Sequence, residues 1–116
     1  MSVISDVNVI TISDENAADA DRLVTAARPD TSATMANTTH AGGAARNVTV
    51  TTTGTSDNGK TCTITGTDVF GDAMTEVITS TSSAETVAGT KLFLTVSAVE
   101  CSAQYAANIT VGSGSL

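Results

Sequence analysis

Val48-Thr49-Val50-Thr51, Gly54-Thr55-Ser56-Asp57-Asn58-Gly59 and Thr61-Cys62-Thr63-Ile64-Thr65 follow one another along the chain, and their alternation decides the fold. Apolar and threonine side chains repeat with a period of two, the signature of a strand with one buried face, and β-branched residues suit a pleated surface. The Asn and Gly residues between the runs tolerate positive φ at little steric cost. The reading is a β-hairpin in which Val48, Val50, Cys62 and Ile64 point inward and the threonines face solvent or a partner.

The same texture continues towards the C-terminus. Asp68-Val69-Phe70-Gly71-Asp72 is a second turn, and Met74-Thr75-Glu76-Val77-Ile78-Thr79 a third strand that meanders back. Ser80 to Ala84 is small and polar, a loop or a fraying strand end. After the turn signal Val87-Ala88-Gly89-Thr90, the run from Lys91 to Val99 is the most apolar and is expected to be the central strand. Phe93, Val96 and Val99 do not share a face under strict alternation, which predicts either a β-bulge or burial on both sides. Asn108 to Gly112 is the last strand, and residues 113–116 form a flexible tail. Short strands separated by turns about every ten residues predict an all-β domain over residues 46–112, a small immunoglobulin-like β-sandwich or barrel.

Residues 1–45 read differently. Val7 to Ile12 has the β-branched content of a strand, and Ser13 is placed to cap a short helix from Asp14 towards Ala27, with Pro29 beyond its end. Thr31 to Ala45 holds Met35 as its only large apolar residue and is expected to be a linker or an extended arm held by neighbouring subunits.

Composition narrows the function. Five Lys and Arg against twelve Asp and Glu give a net charge of −7, so nucleic acid and anionic membrane surfaces are not expected partners. No apolar run reaches the roughly 20 residues that span a bilayer, and Met1 to Asp6 lacks the charged and apolar regions of a secretory signal, so synthesis in the cytosol is expected. Aromatic residues are only 3% of the chain (Phe70, Phe93 and Tyr105, with no Trp), so the core is thin and stands to gain from association.

Chemistry-bearing groups are sparse. His40, the single histidine, sits between Thr39 and Ala41-Gly42-Gly43 and reads as a solvated loop residue without an acidic neighbour to orient it. Cys62 and Cys101 lie too far apart in sequence for a zinc site; as a pair they are buried thiols or a disulfide. Asp57, Asp68 and Asp72 lie in turns where calcium ligands occur, but no EF-hand spacing is present and Asp is a default turn former. Asp14, Glu15, Asp19 and Asp21 suit the first turn of the expected helix better than a metal site. Gly42-Gly43 and Gly112-Ser113-Gly114 lack the setting of a phosphate loop, and the Asn-x-Thr sequons at Asn37, Asn47 and Asn108 fit chance in a Thr-rich chain. No catalytic, cofactor-binding or metal-binding residue is nominated.

Arg46-Asn47-Val48-Thr49-Val50, Thr63-Ile64-Thr65-Gly66-Thr67-Asp68, Gly71-Asp72-Ala73-Met74-Thr75-Glu76, Gly89 to Val96 and Asn108 to Gly112 together resemble a recurrent module of tailed-bacteriophage virion proteins. The chain is similar there to small β-sandwich proteins that include head decoration, or cement, proteins; Cys62 and Cys101 stand where that group is expected to have aromatic, apolar or small residues. The resemblance implies a structural protein, not an enzyme, without a cofactor. It would reside on the capsid surface of the virion after synthesis in the host bacterial cytoplasm. Its partners would be the major capsid protein and copies of itself, as a homotrimer. A head-tail connector, tail-tube or fibre component is the alternative. An immunoglobulin-like carbohydrate-binding adhesion module is a further one, disfavoured because sugar sites generally use exposed aromatics.

Overall fold

A computed structural model of the chain describes residues 18–29, 31–40 and 43–114. The expected strand at Val7 to Ile12, the capping Ser13, and the acidic pair Asp14 and Glu15 lie outside them. The described residues contain no α-helix and form seven strands: β1 (Asp19–Ala27), β2 (Val48–Thr52), β3 (Thr61–Thr67), β4 (Ala73–Thr79), β5 (Thr86–Ala88), β6 (Thr95–Cys101) and β7 (Ile109–Ser113). They make two antiparallel sheets, one ordered β1-β7-β2-β5 and the other β4-β3-β6. The all-β sandwich expected from the strand spacing is therefore what the chain forms. It has the four-plus-three strand count of an immunoglobulin constant domain, with its last strand in the larger sheet.

The inward set of the opening stretch is as its alternation dictates: Val48, Val50, Cys62 and Ile64 are fully buried. The hairpin is not. β2 pairs with β5 and β7 while β3 pairs with β4 and β6, so residues 53–60 carry the chain from one sheet to the other. Period-two alternation reports which side of a strand is buried and is silent on which strand lies beside it. The connection is anchored by Asp57, whose Oδ1 accepts hydrogen bonds from Lys60 Nζ (2.8 Å) and Ala106 N (2.7 Å). Thr49, expected outward, is itself buried.

The run containing Phe93, Val96 and Val99 resolves as a bulge. Pairing shifts by one residue between Thr65↔Ala98 and Gly66↔Val96, so Ser97 is the extra residue and Val96 and Val99 both reach the core. Gly66 permits this close approach, since a Cβ there would collide with the Thr95 carbonyl. The middle strand of this sheet is β3, not β6 as its apolar content suggested. On its other side β6 meets the segment 31–40, through hydrogen bonds Ala33 N to Val99 O (2.9 Å), Val96 N to Thr38 O (2.8 Å) and Cys101 N to Thr31 O (2.6 Å).

Two expectations for the N-terminal half are corrected. The helix towards Ala27 is instead strand β1 over its described part, paired with β7, with Leu23 and Val24 buried in the common core. Alanine favours helix in isolation, but a helix frees no backbone groups to complete the edge of a sheet, and tertiary pairing overrides the local preference. The presumed linker is built into the sandwich. Ala36 N bonds to Leu23 O (2.7 Å), Asn37 Nδ2 to Arg22 O (2.9 Å) and Arg22 Nε to Thr39 O (3.0 Å), so the segment closes the side between β1 and β6. Ser113, placed in the flexible tail, is the buried end of β7.

Phe93 and Tyr105 fill the middle of the core with no exposure. Each such side chain contributes roughly 1.5–3 kcal/mol through removal from water. The Tyr105 hydroxyl is satisfied by Ser80 Oγ at 2.8 Å, as a buried phenol requires. The third aromatic, Phe70, is elsewhere.

Candidate functional site

Asp68-Val69-Phe70-Gly71-Asp72 links β3 to β4, which pair directly with each other across a tight turn. Gly71 N donates to Asp68 O (3.1 Å) and Asp68 N to Asp72 O (3.0 Å). Gly71 takes φ +84°, a left-handed value that a side chain resists. This is a three-residue hairpin loop closed by a left-handed glycine. Asp68 Oδ1 accepts from Phe70 N (2.8 Å) and Asp72 N (3.1 Å), so the amides inside the loop are held by one carboxylate. The result is a braced turn that projects Phe70 with 85% of its surface in solvent, with the half-exposed Val69 beside it. Leu92 is also exposed, two residues before Leu94, whose N–H bonds Thr67 O at the base of the turn (2.8 Å).

The strand leaving this turn is an open edge among the described residues. Asp68/Asp72 and Lys60/Ser80 are hydrogen-bonded pairs, and such pairs recur at every second residue of an antiparallel ladder. Met74, Glu76 and Ile78 therefore bond to β3, while Ala73, Thr75, Val77 and Thr79 turn their backbone groups away from the sheet. Lys91 Nζ covers Thr75 O (2.8 Å), and Glu76 accepts from Thr90 N (2.8 Å) and Lys91 N (3.3 Å), which guards one half of the edge. The other half, at Val77 and Thr79, is exposed, and Val77 is 58% accessible. One hairpin thus offers an apolar tip and a stretch of strand unpaired among the described residues.

The residues weighed for chemistry are dispersed. Asp57 is buried against Lys60 at one end of β3, and Asp68 and Asp72 lie at the other, where Asp68 braces the turn; the three do not converge. Burial pushes the Asp57 carboxyl up, but hydrogen bonds from Lys60 and Ala106 N outweigh it and hold it below the usual carboxylate range. Asp19 and Asp21 lie on β1, not on a helix, and Asp19 raises the Asp21 carboxyl through a shared hydrogen bond and charge repulsion. Among the described residues, no three His, Cys, Asp or Glu side chains gather as metal ligands do. Gly112 lies inside β7, where a Cβ would strike the Asp19 and Ala20 backbone. Asn47 is buried with its Nδ2 on Gly89 O (3.0 Å), so it is no glycosylation acceptor in the folded chain.

His40 overturns its expected placement. It is 1% exposed, and its Nδ1 is hydrogen-bonded to Ser113 Oγ at 2.5 Å. Burial, followed by the charge of Arg46, depresses its pKa below the usual histidine value. A hydroxyl–imidazole pair is what acyl transfer uses, yet Ser113 is 2% exposed and His40 Nε2 has no hydrogen-bond partner among the described residues. The pair ties the segment before β2 to the end of β7. Nothing local in the sequence signals it, because the two residues are 73 positions apart.

A groove of about 320 Å³ lies over the larger sheet, lined by Ala20, Asn47, Thr49, Thr86, Ala88 and Ser113 among others, with no ionisable side chain from the described residues in its wall. No helix among the described residues is long and apolar enough to cross a membrane. The chain matches no protein family, no curated protein and no solved structure.

Proposed function

We propose that the protein is a structural subunit of a tailed-phage particle, decorating and stabilising the capsid as a homotrimer through contacts with the major capsid protein. The observation that carries this reading is the β3–β4 hairpin: a braced turn holding Phe70 in solvent beside a strand edge at Val77 and Thr79 that is unpaired among the described residues. An exposed aromatic on a rigid turn loses little conformational freedom on docking, and an open edge gains backbone hydrogen bonds from a partner strand. The thin aliphatic core and the net charge of −7 agree with a protein that works by association with proteins and not with nucleic acid. The phage assignment rests on the sequence resemblance over residues 46–112.

Purified protein mixed with undecorated heads is expected to bind stoichiometrically and to raise their resistance to heat. Absence of binding overturns the reading. Copy number separates it from a connector or tail position, since a lattice calls for hundreds of copies and a ring for about a dozen.

A further inference from the structure

Cys62 and Cys101 are free thiols directly opposite each other on β3 and β6, with their Sγ atoms 3.6 Å apart. Their position in the ladder is favourable. Ser102 N bonds Thr61 O (2.9 Å), which makes Thr61/Ser102 the hydrogen-bonded pair and its neighbour Cys62/Cys101 a non-hydrogen-bonded one. Cys101 N points the other way, to Thr31 O (2.6 Å), so no backbone bond to β3 stands between the two side chains. Pairs of this kind hold their Cα atoms about 4.5 Å apart, inside the range of about 4.4–6.8 Å that a disulfide bridges. Closing the bond brings the sulfurs from 3.6 Å to about 2.05 Å, a side-chain movement that leaves the strands in place.

We infer that Cys62 and Cys101 are a modification site: they close reversibly into an intrachain disulfide when the protein meets a low-molecular-weight disulfide such as oxidised glutathione. This does not depend on the phage reading. Cys101 is the more accessible of the pair at 5% exposure and precedes the exposed residues Ser102 to Gln104, so local opening of the β6 end admits the oxidant there. That opening also breaks the Cys62 contact which, with burial, pushes the Cys101 thiol up, and the Cys101 thiolate then attacks one sulfur of RSSR, forms a mixed disulfide and expels RS⁻. Cys62, as thiolate, then attacks the Cys101 sulfur and expels the second RS⁻. The two thiol protons pass to solvent, the protein loses two electrons, and RSSR becomes two RSH.

The surroundings suit Cys62 to the resolving role. In the reduced pair the Cys101 thiol, and then the Tyr105 hydroxyl at 3.4 Å, hold the Cys62 pKa below the ordinary thiol value despite burial, while the same contact and burial push the Cys101 thiol up. Once Cys101 is in the mixed disulfide, the Tyr105 hydroxyl remains to stabilise the Cys62 thiolate, itself positioned by Ser80 (2.8 Å). The bond would staple residues 39 positions apart and lock β6, with the segment it carries, onto β3.

The full chain is incubated at about pH 8 with oxidised glutathione or with dithiothreitol, then examined by intact mass, peptide mapping and thermal melting at equal concentration. Expected is a loss of about 2 Da, a Cys62–Cys101 crosslinked peptide, and a midpoint raised on the order of 10 °C over the reduced protein, reversed by dithiothreitol. Cys62→Ser and Cys101→Ser each abolish the redox-dependent difference, and the oxidised-versus-reduced comparison of the unmutated chain stands even where a variant fails to fold. Two thiols per chain still titratable after unfolding, a glutathione adduct alone, a crosslink between chains, or an unchanged or lowered midpoint overturns the inference.

Discussion

His40 Nδ1 meets Ser113 Oγ at 2.5 Å inside the sandwich, so the only histidine of the chain fastens the segment before β2 to the last residue of β7. Burial first, and then the positive charge of Arg46, oppose a proton on the ring; the Phe93 backbone works the other way, and Arg22 adds a smaller opposing charge. The folded-state pKa therefore lies below 6.5, while the unfolded chain takes up its proton near 6.5. Stability is at its full value above that pH and falls as the pH drops from about 6.5 towards the folded-state value. Urea denaturation from pH 7.5 to pH 5 should show this decline, and His40→Gln should flatten it.

Asp57→Ala removes the acceptor shared by Lys60 Nζ and Ala106 N and releases the loop that carries the chain between sheets. The expected cost is about 2–3 kcal/mol in urea denaturation, the range for charge-assisted buried hydrogen bonds. Because the folded Asp57 carboxyl is held below 3.8, its contribution is present above that pH and is lost as acid protonates it. Asp57→Asn should remove that part of the acid dependence.

Phe70→Ala is expected to leave folding stability within about 0.5 kcal/mol, since the ring lies 85% in solvent. It should weaken binding to undecorated heads about 30-fold or more, the effect of removing an aromatic anchor. Gly71→Ala should cost about 1 kcal/mol of stability through its φ of +84° and also impair binding by loosening the turn. Equal head binding by Phe70→Ala and the unmutated protein would remove the tip from the interface.

Leu23→Ala distinguishes an integral first strand from an arm. Fully buried in the core, Leu23 should cost about 3 kcal/mol on truncation, measured by thermal or chemical unfolding of the isolated protein. An appendage would give a change near zero.

What the sequence made legible is what local physics controls. The β3–β4 turn could be read from Asp68-Val69-Phe70-Gly71-Asp72 because the carboxylate and the left-handed glycine act within five residues. The bulge at Ser97 showed in the broken spacing of Val96 and Val99, and Val48, Val50, Cys62 and Ile64 were legible as core from their alternation. Strand partnership was not. β2 and β3 look like a hairpin because each has one apolar face, and only the whole arrangement sends them to different sheets. β1 was obscured by its alanines and by two register shifts against β7, which break the period-two pattern around Leu23 and Val24. His40 and Ser113 carry no mutual signal, since their contact exists only once β7 is in place. The exposure of Phe70, the basis of the candidate surface, was likewise invisible: an aromatic in a turn reads equally as a core anchor.

The pairing of β1 with β7 has a consequence for biogenesis. Asp19 lies opposite Ser113, and Ala27 opposite Ile109, so the first described strand is translated long before β7, its sheet neighbour among the described residues. β7 is also the strand that joins β1 to β2. Without β7 the larger sheet is reduced to the β2–β5 pair, and β1 is left with no strand of that sheet beside it among the described residues, whereas the β3–β4 hairpin pairs across a turn of its own. The larger sheet is thus closed by contacts distant in sequence, the kind of pairing whose loop-closure entropy slows folding.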